Sequence, residues 1–214
     1  MAHIPSQATK QKGFTIVELL LALAVFSFVL VFVTTAFLQL FRTYNRGITR
    51  KDVNQSTRLL IDDIASKMRI VADPSLIDYS MVSNGRLCVG SYSYVWNTIG
   101  QTANLISVNG QQINMVRIDN DTGRLACQKP PAGPTQYSFT GQATSMFTER
   151  IGIQSFTVTP QVGGISGLFN VSITANTNQT NLLDSVTHAC IASNITSAYC
   201  SNVTLQETIG LRNR

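Results

Sequence analysis

Few residues in this 214-residue chain have the types and spacing that chemistry requires. Four are cysteines: Cys88, Cys127, Cys190 and Cys200. Metal ligation by thiolate uses closely spaced pairs such as CxxC, and no such pair occurs, His188 beside Cys190 being a poor substitute. An even count reads instead as disulfides if the chain leaves the cytosol. Four cysteines allow three pairings. The favoured one joins Cys190 to Cys200 across a short loop and Cys88 to Cys127 between two strand-like segments, each bridge stabilising by about 3–4 kcal/mol in the chain-entropy model. Asp119 and Asp121 sit in the stretch Asp119-Asn120-Asp121-Thr122-Gly123 and are weak candidates for calcium. An EF-hand loop needs Glu at its twelfth position, where Pro130 stands, and a turn of this composition forms without metal. His188 has no acid partner at catalytic spacing. Asp62 and Asp63 are adjacent in a helical segment and point to different faces, so they do not make a paired-carboxylate site. No Gly-rich phosphate loop occurs, and no enzyme or cofactor is expected.

One more carboxylate stands out by its surroundings. Glu18 lies in Gly13-Phe14-Thr15-Ile16-Val17-Glu18-Leu19-Leu20, at the head of the most apolar segment of the chain. Phe14–Phe41 is interrupted only by Thr15, Glu18, Ser27, Thr34, Thr35 and Gln39. It has no Gly or Pro, and 28 residues of helix at about 1.5 Å each exceed the thickness of a bilayer core. It is also too long for a secretory h-region, and Thr34-Thr35-Ala36 is a poor cleavage site. An acid inside a membrane helix costs about 2.5–3.5 kcal/mol near the centre, less near the interface, and points either to a functional partner or to a place at the interface, touching lipid headgroups. Charge flanking the segment gives no clear topology. Lys10 and Lys12 precede it and Arg42, Arg46, Arg50 and Lys51 follow it, so the positive-inside rule alone would place the N-terminus outside.

The elements that must position these residues follow from periodicity. Tyr44, Ile48, Leu60, Ile61, Ile64, Met68 and Val71 recur at three- and four-residue steps with charges on the other faces, which predicts an amphipathic helix. Pro74 should end it by Ala72 or Asp73. Phe14–Ala72 is thus one long helix or two nearly collinear ones. Beyond Pro74 the signals are for strands: Leu87–Val89 and Tyr92–Trp96, with Gly90 a candidate bulge; Ile113–Ile118; a return over Arg124–Cys127; Ile151–Val158 with a phase slip that predicts a bulge; and Phe169–Thr174, the cleanest alternation in the chain. Lys129–Pro134 and Val162–Gly167 read as loops. The expected fold class is α+β, an antiparallel sheet packed on the helix.

Composition limits the functional classes. Charged residues are 13% of the chain and the net charge is +5. From Pro74 onward seven basic residues face six acidic ones, whereas a nucleic-acid-binding domain concentrates Lys and Arg on its folded part. Nucleic acid is therefore not indicated as a partner.

The stretch Gly13–Leu20, after a short leader with Lys10 and Lys12, resembles the signal of type IV prepilins over roughly residues 10–41. The resemblance implies a pilin-like fold and a cut between Gly13 and Phe14 by a prepilin peptidase that also methylates the new amine of Phe14. It implies that Glu18 pairs with the terminal amine of a neighbouring subunit during assembly. It places the leader in the cytoplasm and the globular part outside, with membrane lipid, an inner-membrane assembly platform and other pilin subunits as partners, and a pilus or secretion pseudopilus as the destination. The segments are then a leader at 1–13, a transmembrane or filament-core helix at 14–41, an amphipathic stem at 42–73 and a β-rich domain at 74–214. Ser56–Arg69 and the tail Leu211-Arg212-Asn213 are most similar to PilW-like minor pilins and J-type pseudopilins. The expected role is a minor type IV pilin. The alternatives are a J-type pseudopilin of a type II secretion system and, from another class, an uncleaved signal-anchored surface binding protein.

Overall fold

The computed structural model describes residues 13–71, 73–101, 105–108, 110–121, 123–128, 135–137, 143–161, 167–191 and 199–212. The chain divides into two compact units, Met1–Thr43 and Tyr44–Arg214. In chain order its elements are α1 (Ile16–Ile70), β1 (Ile77–Asp78), β2 (Arg86–Val89), β3 (Tyr92–Trp96), β4 (Ile106–Val108), β5 (Gln111–Gln112), β6 (Met115–Ile118), β7 (Thr135–Tyr137), β8 (Ala143–Ser145), β9 (Ile151–Pro160), β10 (Leu168–Thr177) and β11 (Asn202–Gly210). The long helix expected from the sequence is one element, two residues shorter at each end. Thr15 caps its start. After Ile70 the chain turns at Asp73, whose Oδ1 accepts the Ser75 amide at 2.8 Å and caps a 3₁₀ turn over Pro74–Leu76.

In the first unit every described side chain, residues 13–43, is exposed. The few polar groups of the apolar segment are satisfied within the helix. Ser27 Oγ donates to Leu23 O at 2.7 Å, Thr34 Oγ1 to Leu30 O at 2.7 Å and Thr35 Oγ1 to Phe32 O at 2.8 Å. A helix that faces lipid needs this, because hydrocarbon offers no partner to a polar group. By length and composition the helix is able to cross a membrane.

In the second unit the helix buries the stripe Val53, Thr57, Leu60, Ile61, Ile64, Ala65 and Met68. It packs on two antiparallel sheets of order β1-β2-β3-β6-β8 and β11-β10-β9. Leu87, Tyr94, Trp96, Met115, Phe156, Val171 and Ile173 complete the core with it. The Trp96 and Phe156 rings meet edge-on at 4.7 Å and join the two sheets. Val95, Val116 and Ile118 point to the opposite face of the first sheet, where they meet Ile106 and Val108 of a third sheet. With both faces covered, β2 and most of β3 are buried at consecutive residues, so they lack clean alternation.

The architecture corrects several local expectations. Three sheets form where one was expected, and β4 pairs with β7 in parallel. Gly90 is not a bulge: Val89 pairs with Tyr92, so Gly90 and Ser91 are a two-residue hairpin loop with Gly90 at φ 61°. Arg124–Cys127 is not a returning strand, because Leu125–Cys127 forms a 3₁₀ turn. Ile113 lies outside β6 and is buried. The predicted bulge in β9 is present. Ser155 opposes Thr174 and Ile153 opposes Ala175, leaving Gln154 unpaired in the register. The expected loop at 129–134, and residues 162–166 of the other, lie outside the described residues.

Candidate processing and assembly site

Gly13 and Phe14 precede the helix, and Phe14 is 86% exposed. The next residue fixes where the helix begins. Thr15 O accepts the Leu19 amide at 3.2 Å, so Thr15 is the N-cap. Its Oγ1 accepts the Glu18 amide at 3.3 Å, while Glu18 Oε2 takes the Thr15 amide and hydroxyl, each at 3.1 Å. This reciprocal arrangement is a capping box. Its signature, Thr-x-x-Glu before an apolar run, is readable in the sequence, although only the acid attracted notice there. A carboxylate in the first turn also complements the helix dipole. Glu18 Oε2 is engaged by the cap; Oε1 forms no hydrogen bond among the described residues.

The other candidates are structural in their surroundings. Cys88 on β2 is bonded to Cys127, 39 residues away, and Cys190 to Cys200, closing ten. Asp121 lies beneath the first bridge. Its Oδ2 accepts Ser93 Oγ at 2.8 Å and the Ala126 amide at 3.2 Å, and Ser93 Oγ lies 3.1 Å from Cys88 Sγ. Asp119 instead faces Arg117, whose Nε donates at 2.8 Å. The two carboxylates are thus committed to different neighbours. Among the described residues no group of three or more His, Cys, Asp or Glu is placed to hold a metal. His188 has a left-handed backbone, φ 52°, and its imidazole packs against Gly100.

Asp62 and Asp63 diverge as helical geometry requires. Asp62 is exposed. Asp63 accepts Tyr94 Oη at 2.7 Å and Arg117 Nη1 at 2.7 Å. Burial and the Asp63 carboxylate push the Tyr94 hydroxyl well above its ordinary pKa, and hydrogen bonds to Asp119 and Asp63 hold Arg117 firmly protonated. This tie between helix and sheet was not anticipated, because Arg117 lies 54 residues from Asp63.

Residues 8–34 match the model of the prokaryotic N-terminal methylation motif. No curated protein and no solved structure matches the chain. The chain therefore carries the class III signal peptide of type IV prepilins, on a pilin-like α+β fold. The motif points to a precursor of the pilin and pseudopilin type, a class of structural subunits, and it implies processing by prepilin peptidase and assembly with other pilins.

Proposed function

We propose that the chain is a minor type IV pilin, cut between Gly13 and Phe14, methylated on Phe14 and assembled into, or priming, an extracellular pilus. The observation that carries this reading is the motif over residues 8–34 together with a helix start that leaves Phe14 outside the cap and one Glu18 oxygen without a hydrogen bond among the described residues. Cleavage gives Phe14 an amine with a reference pKa of about 7.7–8.0, largely protonated at neutral pH. In a filament core of low dielectric, that cation and the Glu18 carboxylate are each costly alone and tolerable as a pair. Glu18 Oε2 stays with its own cap while Oε1 receives the neighbour's amine. A subunit docked at the wrong height leaves both charges unmatched, so the pair sets the register.

In this reading the leader lies in the cytosol and the second unit outside, where Cys88–Cys127 and Cys190–Cys200 form in an oxidising compartment. Assignment to the minor pilins rests on Ser56–Arg69 and the C-terminal tail, where β11 ends at Gly210 and Leu211 and Arg212 follow. Mass spectrometry of the cell-surface protein tests the proposal. An N-methylated Phe14 is the expected terminus, and an intact leader would sink it.

A further inference from the structure

Backbone groups along the edge of a sheet are a template for pairing with another chain, and folded proteins blunt such edges with short strands, Pro, Lys or bulges. Most edges of this fold are blunt. β1 and β5 have two residues, and β7 and β8 have three. β9 is bulged, ends in Pro160, and its Ile153 carbonyl accepts the Ile99 amide at 2.7 Å. β11 is the exception. It runs nine residues beside β10 in an unbroken register, with no Pro and no Lys. Its one charge, Glu207, is held at 2.7 Å by Arg69 of the stem. Among the described residues no strand lies on its other side.

The ladder shows which groups are open. The Leu211 amide donates to Gly167 O at 2.8 Å, and the Thr177 amide donates to Ser201 O at 3.2 Å. Bonded pairs alternate along an antiparallel ladder, so Val203, Leu205, Glu207 and Ile209 give their N–H and C=O to β10. Asn202, Thr204, Gln206, Thr208 and Gly210 turn theirs to the open edge, and all of these residues are exposed. On the core side, Val203 and Leu205 are only partly buried.

We propose that β11 is a docking edge for a second copy of this chain, two β11 strands pairing antiparallel about Gln206 to join their sheets. The strand is complementary to itself in that register. Gln206 meets its equivalent, Thr204 meets the second copy's Thr208, and Asn202 meets its Gly210, so each open N–H and C=O of these residues finds a partner. On the core side Val203 meets Ile209, and Leu205 meets the aliphatic part of Glu207. Like charges are nowhere opposed. A slip of one residue sets the open groups against residues already bonded to β10 and turns the side chains to the wrong face. The two-fold axis is normal to the joined sheet, so the two stems, packed on one face of it, run in opposite directions. The pair therefore links free copies, or copies in assemblies of opposite orientation. The proposal rests on the fold and not on the pilin reading, so either can fail without the other.

The test is sedimentation of the full chain in detergent. The wild type should be dimeric. Thr204→Lys/Thr208→Lys opposes lysine to lysine twice across the paired strands and should weaken the dimer about tenfold. Thr204→Lys/Thr208→Glu opposes unlike charges in the antiparallel register and should restore it, whereas a parallel register would oppose like charges. Both variants should keep both disulfides and the thermal midpoint. A short bismaleimide separates pairing at this edge from association through the apolar helix. Gln206→Cys should give a covalent dimer, and Thr157→Cys, in the same row of the sheet but two strands inward, should not. A monomeric wild type overturns the proposal and leaves a strand of a different protein as the occupant of the edge. An unaltered dimer in the Lys pair, failure of the Lys/Glu pair to restore it, or equal cross-linking at Thr157 overturns it as well.

Discussion

Along α1, no described side chain up to Tyr44 is buried, while seven between Val53 and Met68 are. Both stretches are apolar at close intervals, and both carry an acid. In the second, partners within the same chain cover the apolar face, and Asp63 is held by Tyr94 and Arg117. In the first, no described residue is buried, and Glu18 has one oxygen engaged and one without a hydrogen bond among the described residues. The contrast separates two uses of one element. A face completed by its own domain serves the stability of the subunit, and on the proposed function the exposed face with its half-engaged acid serves assembly with other subunits.

Substitutions can break this contrast at either end. Leu60, fully buried in the core that the helix shares with the sheets, should show the largest loss: Leu60→Ala should lower unfolding stability by about 2–5 kcal/mol, read as a shift of the denaturant midpoint of the full chain, with no change in cleavage at Gly13. Glu18→Ala should do the reverse. Processing and thermal midpoint should stay near wild type while the filament fraction, scored by immunoblot after shearing, drops about a hundredfold, since a neighbour's buried amine loses its counter-ion. Normal incorporation of that variant would refute the pairing role. Asp63→Ala should cost about 1–3 kcal/mol by leaving Tyr94 Oη and Arg117 Nη1 without their partner, Asp119 still holding the rest of the guanidinium, whereas Asp62→Ala should stay within about 0.5 kcal/mol. Equal effects would remove the distinction between the two aspartates.

The smallest effect is with pH. Tyr94 has its pKa raised in the folded state by burial and by Asp63. The folded chain therefore holds a proton that the unfolded chain releases near the reference value of about 10. This group leaves stability unchanged below that pH and lowers it as pH rises further. The decline in denaturant midpoint above about pH 10 should be shallower in Tyr94→Phe.

Where a feature depends on neighbours in the chain, the sequence showed it. The stem follows the helical period, and the bulge at Gln154 appeared as a phase slip between Ile153 and Phe156; the cap of Thr15 and Glu18 is equally local, but its Thr-x-x-Glu signature went unread. Cys190 and Cys200 are ten residues apart, a short closure that proximity favours. Where the reason is a distant partner, the sequence was mute. The three residues of β4 are a strand only because β5 and β7 flank them. β2 shows no alternation because another layer covers its second face. Arg117 reads as an ordinary strand cation until the fold brings Asp63 beside it. Gly90 was misread because one glycine serves a bulge or a hairpin turn, and only the pairing of Val89 with Tyr92 decides between them.

The half-used carboxylate of Glu18 has a consequence for symmetry. On the proposed pairing, each subunit presents an acceptor at Glu18 and a donor at Phe14, four residues earlier. If each subunit gives its amine to one neighbour and receives an amine from another, the contact is heterologous. A two-fold dimer would satisfy both pairs reciprocally and exhaust itself. Here every added subunit satisfies one site and offers another, and unless the rotation happens to close a ring, growth is open-ended and has a direction. On that pairing, the Glu18 oxygen with no hydrogen bond among the described residues is enough to give the assembly two unlike ends.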